Sequence, residues 1–119
     1  MNIALKTRQS GDVTIVDVAG RIQLGEGTSA LRETLRELVE KNQLKILLNL
    51  GQVSYIDSSG VGELVTGFTK VANRGGQLKL LNLTTGVTDL LQITKLCTVF
   101  DLFDDEATAS RSFAAAAIA

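Results

Sequence analysis

Two short, nearly uninterrupted apolar runs constrain this chain most: Lys45-Ile-Leu-Leu-Asn-Leu50 and Leu78 to Leu83. A strand facing water on one side alternates apolar and polar residues, so runs without alternation predict strands covered on both faces. Helical patterns lie between and around them. Leu31, Leu35 and Leu38, with Ala30, Thr34 and Val39 beside them, share one helical face, and Arg32, Glu33, Arg36, Glu37 and Glu40 lie opposite. Val61, Leu64, Val65, Phe68 and Val71 repeat the 3.6-residue spacing and end at Arg74-Gly75-Gly76, where glycine suits a helix C-terminus. Strands alternating with helices predict parallel crossovers and helices packed on a central sheet.

The remaining elements fit that frame. Ile3, Leu5 and Thr7 alternate in a first strand, Gly11-Asp12 supplies a hairpin turn, and the β-branched run Val13 to Val18 forms a second strand ending near Gly20. Gly25-Glu26-Gly27 reads as a loop, with the first helix starting at Thr28 or Ser29, whose hydroxyls suit a cap. Val53 to Ile56 leads from the third strand to Asp57. Val87, Leu90 and Leu91 begin a third helix, Val99 to Phe103 a last strand, and Asp104-Asp105-Glu106 the acidic first turn of a fourth helix. The expectation is a single α/β domain over residues 1–112, with a mixed sheet of about five strands and about four helices. Residues 113–119, rich in alanine, are expected to fray.

Composition removes several classes of function. The chain has 119 residues and 45% apolar content, enough to bury a core without disulfides or metals. With no histidine, triads and metal sites that need imidazole are excluded. Net charge is −1 with no basic cluster, which argues against nucleic acid or an anionic membrane as partner. No apolar run approaches the roughly 18 residues of a membrane helix, and Met1 to Gly11 resembles no signal peptide. Cys97 stands alone, consistent with a reducing compartment, so a soluble cytoplasmic protein is expected.

Most candidate chemistry is weak. Gly25-Glu26-Gly27 lacks the full phosphate-loop fingerprint, the Asp104–Glu106 acids read as solvated capping charge, and Cys97 lies among Leu96, Val99 and Phe100 as a small hydrophobe. Tyr55-Ile-Asp-Ser-Ser-Gly-Val-Gly-Glu-Leu64 differs, because it stands where a buried strand hands over to a helix. Asp57, Ser58 or Ser59 can each cap that helix. Gly60 and Gly62 do nothing for a cap, and in a helix each costs up to about 1 kcal/mol relative to alanine. Glycine does permit close backbone approach and leaves the serines open. No Gly-x-Ser-x-Gly elbow or base accompanies them, so no catalytic role is expected.

Asp57-Ser58-Ser59-Gly60-Val61-Gly62, between an apolar strand and an amphipathic helix, resembles the signature of STAS domains. These are the anti-sigma factor antagonists, or anti-anti-sigma factors, of sporulation and general stress in Gram-positive bacteria. The similarity spans about residues 5 to 110 and includes Gly20, Leu48-Asn49-Leu50 and Gly75-Gly76. It implies partner switching in transcription regulation. The unmodified protein binds an anti-sigma factor that is also a serine kinase, which frees the sigma factor. Phosphorylation of the motif's first serine, Ser58, ends binding, and a metal-dependent serine phosphatase restores it. The resemblance implies a partner-binding surface of Asp57, Ser58, Ser59, Gly60 and Gly62. It also includes Gln23, where many members carry an acid, with Glu26 a possible substitute. No cofactor or metal is implied. Two other readings stay open: a scaffold or accessory subunit of a stress-signalling or membrane transport complex, and an enzyme using Ser58 and Asp57.

Overall fold

A computed structural model describes the backbone of residues 3–118 and the side chains of 3–113. The described residues form β1 (Ile3–Ser10), β2 (Val13–Ile22), α1 (Glu26–Glu40), β3 (Lys45–Ile56), α2 (Ser58–Asn73), β4 (Gln77–Leu81), α3 (Thr85–Ile93), β5 (Leu102–Phe103) and α4 (Glu106–Ile118). The five strands lie in chain order in one sheet. β1 and β2 are the antiparallel hairpin turned by Gly11 and Asp12; the pairings of β2 with β3, β3 with β4 and β4 with β5 are parallel. This is the α/β arrangement expected from alternating strands and helices.

The continuous apolar runs are buried on both faces. Ile46 and Leu48 pack with Leu31, Leu35 and Leu38 of α1, Val61, Leu64 and Val71 of α2, and Val87 and Leu91 of α3. Leu47, between them, points the other way and joins Val13, Ile15, Leu81, Ala109 and Phe113 under α4. Three helices therefore cover one face and α4 part of the other. Gly67 brings α1 and α2 close together, since a Cβ there would lie 2.5 Å from Leu35 Cδ1.

Several boundaries differ from the sequence reading, each for a tertiary reason. α1 begins at Glu26, not Thr28 or Ser29, because Gly25 (φ 110°) caps it and Gly27 packs directly on the carbonyl of Arg21. β3 runs unbroken to Ile56, held against β2 through two register shifts. β4 stops at Leu81 because Asn82 turns to φ 59°. β5 is only Leu102–Phe103, since β4 offers it only Leu80 and Leu81 as partners. The helix expected at the acidic segment begins at Glu106, and Asp105 caps it, its Oδ2 accepting the Thr108 amide and hydroxyl at 2.8 Å. Phe113, placed at the start of the fraying tail, lies within α4 and is fully buried against Val13, Ile15, Leu47 and Leu81 of the sheet. The fraying expected for the side chains of 114–118, and for Ala119 altogether, lies outside the described residues.

Candidate functional site

The segment singled out in the sequence sits at the junction of β3 and α2, and of the three capping candidates Asp57 takes the role. Its backbone is extended (φ −109°, ψ −178°), and its Oδ1 accepts the Gly60 amide at 2.8 Å. Its second oxygen does something no cap requires. Oδ2 accepts the amide of Leu24 at 3.0 Å, from the loop between β2 and α1. One carboxylate thus joins the first turn of α2 to a loop 33 residues earlier. The Asp57 amide in turn donates to the Ile22 carbonyl at 3.3 Å. Burial pushes the Asp57 carboxyl up, but bonds from the amides of Leu24, Gly60, Asp57 and Ser59 together hold it below the usual aspartate range. It is therefore a fixed anion at neutral pH.

Ser58 follows as the first residue of α2 and is exposed, while Ser59 is half-buried. Neither hydroxyl bonds to another described residue, so Ser58 stands free beside a helix N-terminus, where amide dipoles favour negative charge. The two glycines of the turn have different reasons. A Cβ on Gly60 would lie 2.3 Å from the Ile22 carbonyl oxygen and 2.7 Å from Ile56 Cγ1, so only glycine lets α2 start against the end of β2. A Cβ on Gly62 would meet nothing within 4 Å, and the residue is exposed. The backbone that approaches Gly60 belongs to this chain; Gly62 leaves open space outward.

The structure brings the second group of expected residues to the same end of the sheet. Gln23 is half-buried in the loop that Asp57 holds, and its Oε1 accepts from Arg21 Nε and Nη2 at 3.4 and 3.3 Å. Glu26 opens α1 and is exposed. Asp57, Ser58, Ser59, Gly60, Gly62, Gln23 and Glu26 thus cluster where β2 and β3 pass into α1 and α2.

Three neighbours escaped the sequence reading. The Arg21 guanidinium lies 4.6 Å from the centre of the Tyr55 ring, Tyr55 is 44% exposed, and Leu24 is 76% exposed. Tyr55 opens the segment singled out in the sequence but has no role in that reading, and Leu24 is a large apolar residue beside the glycine-rich loop. An open groove of about 490 Å³, lined in part by Tyr55, runs between the end of β3 and α3. Cys97 is a free thiol, partly buried against the core. Among the described residues no group of three or more acids, cysteines or histidines is placed to hold a metal, and no helix is long and apolar enough to cross a membrane.

The STAS domain model matches residues 4–109. The anti-sigma-B factor antagonist of Bacillus subtilis is 38% identical over 103 residues, covering 86% of this chain and 92% of the relative. An anti-sigma factor antagonist from Mycobacterium paratuberculosis superposes with a TM-score of 0.80 at 19% identity, covering 93% of both chains. The phosphorylated form of the Bacillus cell fate determinant SpoIIAA does so with a TM-score of 0.72 at 18% identity, covering 92% of this chain and 98% of that one. At such identities the two solved structures speak for the fold.

Proposed function

The chain belongs to the STAS domain family, and from that premise we propose that it is an anti-sigma factor antagonist switched by phosphorylation of Ser58. In its unmodified form it binds an anti-sigma factor serine kinase in the cytoplasm and so releases the sigma factor. The kinase phosphorylates Ser58 and the complex parts; a metal-dependent serine phosphatase resets it. It acts by binding, not as an enzyme. The observation that carries this reading is the setting of Ser58: exposed, at the first position of α2, next to an aspartate already committed to capping.

The physical chemistry favours a switch by charge rather than by refolding. A phosphate on Ser58 adds about −1.5 to −2 charges. The N-terminus of α2 favours that charge within the protein, so the domain tolerates it. A partner surface shaped around a neutral hydroxyl does not. Asp57 next to it is ionised, so the phosphate enters a field that is already negative. An unpaired charge buried at an interface costs several kcal/mol, equivalent to orders of magnitude in affinity. Asp57, Ser59, Gly60, Gly62, Gln23 and Glu26 surround Ser58 on the contact surface, with the open space outside Gly62 leaving room for the partner's backbone.

The test compares affinities for the kinase. Ser58→Asp is expected to weaken binding by about a hundredfold or more, and Ser58→Ala to bind as wild type while resisting release by ATP. Ser59→Ala should change little. Equal affinity of Ser58→Asp and wild type would overturn the role given to Ser58.

A further inference from the structure

We propose that Leu24 is an apolar anchor that enters a socket on the anti-sigma factor, and that Asp57 is the positioning residue that presents it. The inference rests on the reading above and adds to it a contact 34 residues away in sequence from Ser58. A single exposed leucine ordinarily needs no explanation. Ile93 is equally exposed, at 76%, at the end of α3. What separates Leu24 is the way its backbone is held.

Each residue around it is tied. The Leu24 amide donates to Asp57 Oδ2 at 3.0 Å. The Gln23 carbonyl accepts the Thr28 amide at 3.1 Å, and the Gly25 carbonyl accepts the Ser29 amide at 3.0 Å. The Gly25 amide donates to the Thr28 hydroxyl at 3.2 Å, and Thr28 is buried. Gly27 sits against the Arg21 carbonyl. The loop is therefore fixed while its one large apolar side chain projects into water. A side chain presented on a fixed backbone binds without the entropy cost of ordering a loop.

The neighbours fit an interface. Arg21 lies over the Tyr55 ring and also holds Gln23, and arginine and tyrosine are among the residues that dominate binding energy at protein contacts. Asp57 holds the amide of Leu24 on one side and carries Ser58 on the other, so anchor and switch share one rigid surface. The partner surface that complements it offers an apolar socket for one aliphatic side chain, an acidic group toward Arg21, and a neutral patch over the Ser58 hydroxyl.

The test is calorimetric titration of the full chain with each anti-sigma factor kinase of its source genome. Leu24→Ala should weaken the complex about ten- to hundredfold, the loss expected for one buried leucine side chain, and Leu24→Met should restore most of the affinity. In Asp57→Asn the side-chain oxygen can still cap Gly60, but its NH2 group meets the Leu24 amide donor to donor. That variant should bind more weakly and exchange the Leu24 amide hydrogen faster. The double variant Leu24→Ala with Asp57→Asn should lose less than the sum of the two single losses, because part of the effect of Asp57 passes through Leu24. Additive losses, or Leu24→Ala binding within about twofold of wild type, would overturn the inference and leave the Ser58 reading intact. Failure of every kinase to bind wild type would overturn both.

Discussion

Gly60 and Gly62 stand two residues apart in one helical turn, yet alanine at each should shift stability in opposite directions. Helix propensity favours alanine over glycine by up to about 1 kcal/mol at either position. At Gly62 nothing opposes that gain, because the added Cβ meets no atom within 4 Å. Gly62→Ala should therefore stabilise the domain, by less than about 1 kcal/mol since the first turn is only partly committed to the helix. At Gly60 the Cβ would fall 2.3 Å from the Ile22 carbonyl oxygen and 2.9 Å from Ile22 Cγ2. The carbonyl belongs to a buried residue whose oxygen also accepts the Asp57 amide, so it cannot move without breaking the junction. Overpacking of this kind costs about 1–3 kcal/mol, and the loss of alignment at the Asp57 cap adds about 1 kcal/mol. Less the propensity gain, Gly60→Ala should lose about 1–3 kcal/mol. Urea denaturation followed by circular dichroism measures both, with unchanged m values showing that the same transition is compared. If Gly60→Ala proves as stable as wild type, or Gly62→Ala loses 1 kcal/mol, the packing explanation of the motif's glycines is wrong.

Two further outcomes are expected. Arg8 donates to Asp17 at 2.7 and 3.1 Å and to Glu106 at 3.0 and 2.7 Å, tying the hairpin to α4; this guanidinium holds both carboxyls below their usual range. Groups depressed on folding add stability above their unfolded pKa values, near 4, and lose it as pH falls through the folded ones. Stability should thus decline below about pH 4, and Arg8→Met should flatten that limb. The change should be no more than about 1 kcal/mol, because all three side chains are part-exposed and screened; an unchanged acid limb in urea titrations at pH 3 and 7 would contradict it. Phe113→Ala should cost about 3–5 kcal/mol, as for a fully buried aromatic; a loss under 1 kcal/mol would show that α4 contributes little at this position.

How much of this could be read beforehand depended on whether the cause was local. The apolar runs of β3 and β4 and the helical stripe of α2 carry their burial pattern in their own residues, so the parallel crossovers and the buried helix faces followed from spacing, whereas the strand order came only from the structure. Asp57 as a capping candidate was legible for the same reason, since cap and capped amide lie three residues apart. Its second bond, to Leu24, was not, because nothing near residue 24 or 57 signals the other. The start of α1 was missed because Gly27 reads as a loop glycine until the Arg21 carbonyl is seen against it. Val99 to Phe103 is apolar enough for a longer strand, but Val99 follows a turn to Leu96 and only two residues reach β4. Phe113 looked like the edge of an alanine tail because its burial depends on Val13, Ile15, Leu47 and Leu81, all distant in sequence.

The most direct measurement is peptide mass spectrometry on the protein isolated from its native cells, grown with and without stress. The expected result is a phosphate on Ser58 whose occupancy changes with condition, with the unphosphorylated fraction co-purifying with a serine kinase. Ser58 unmodified in every condition, or a phosphate on Ser59 instead, would contradict the switch assigned to it.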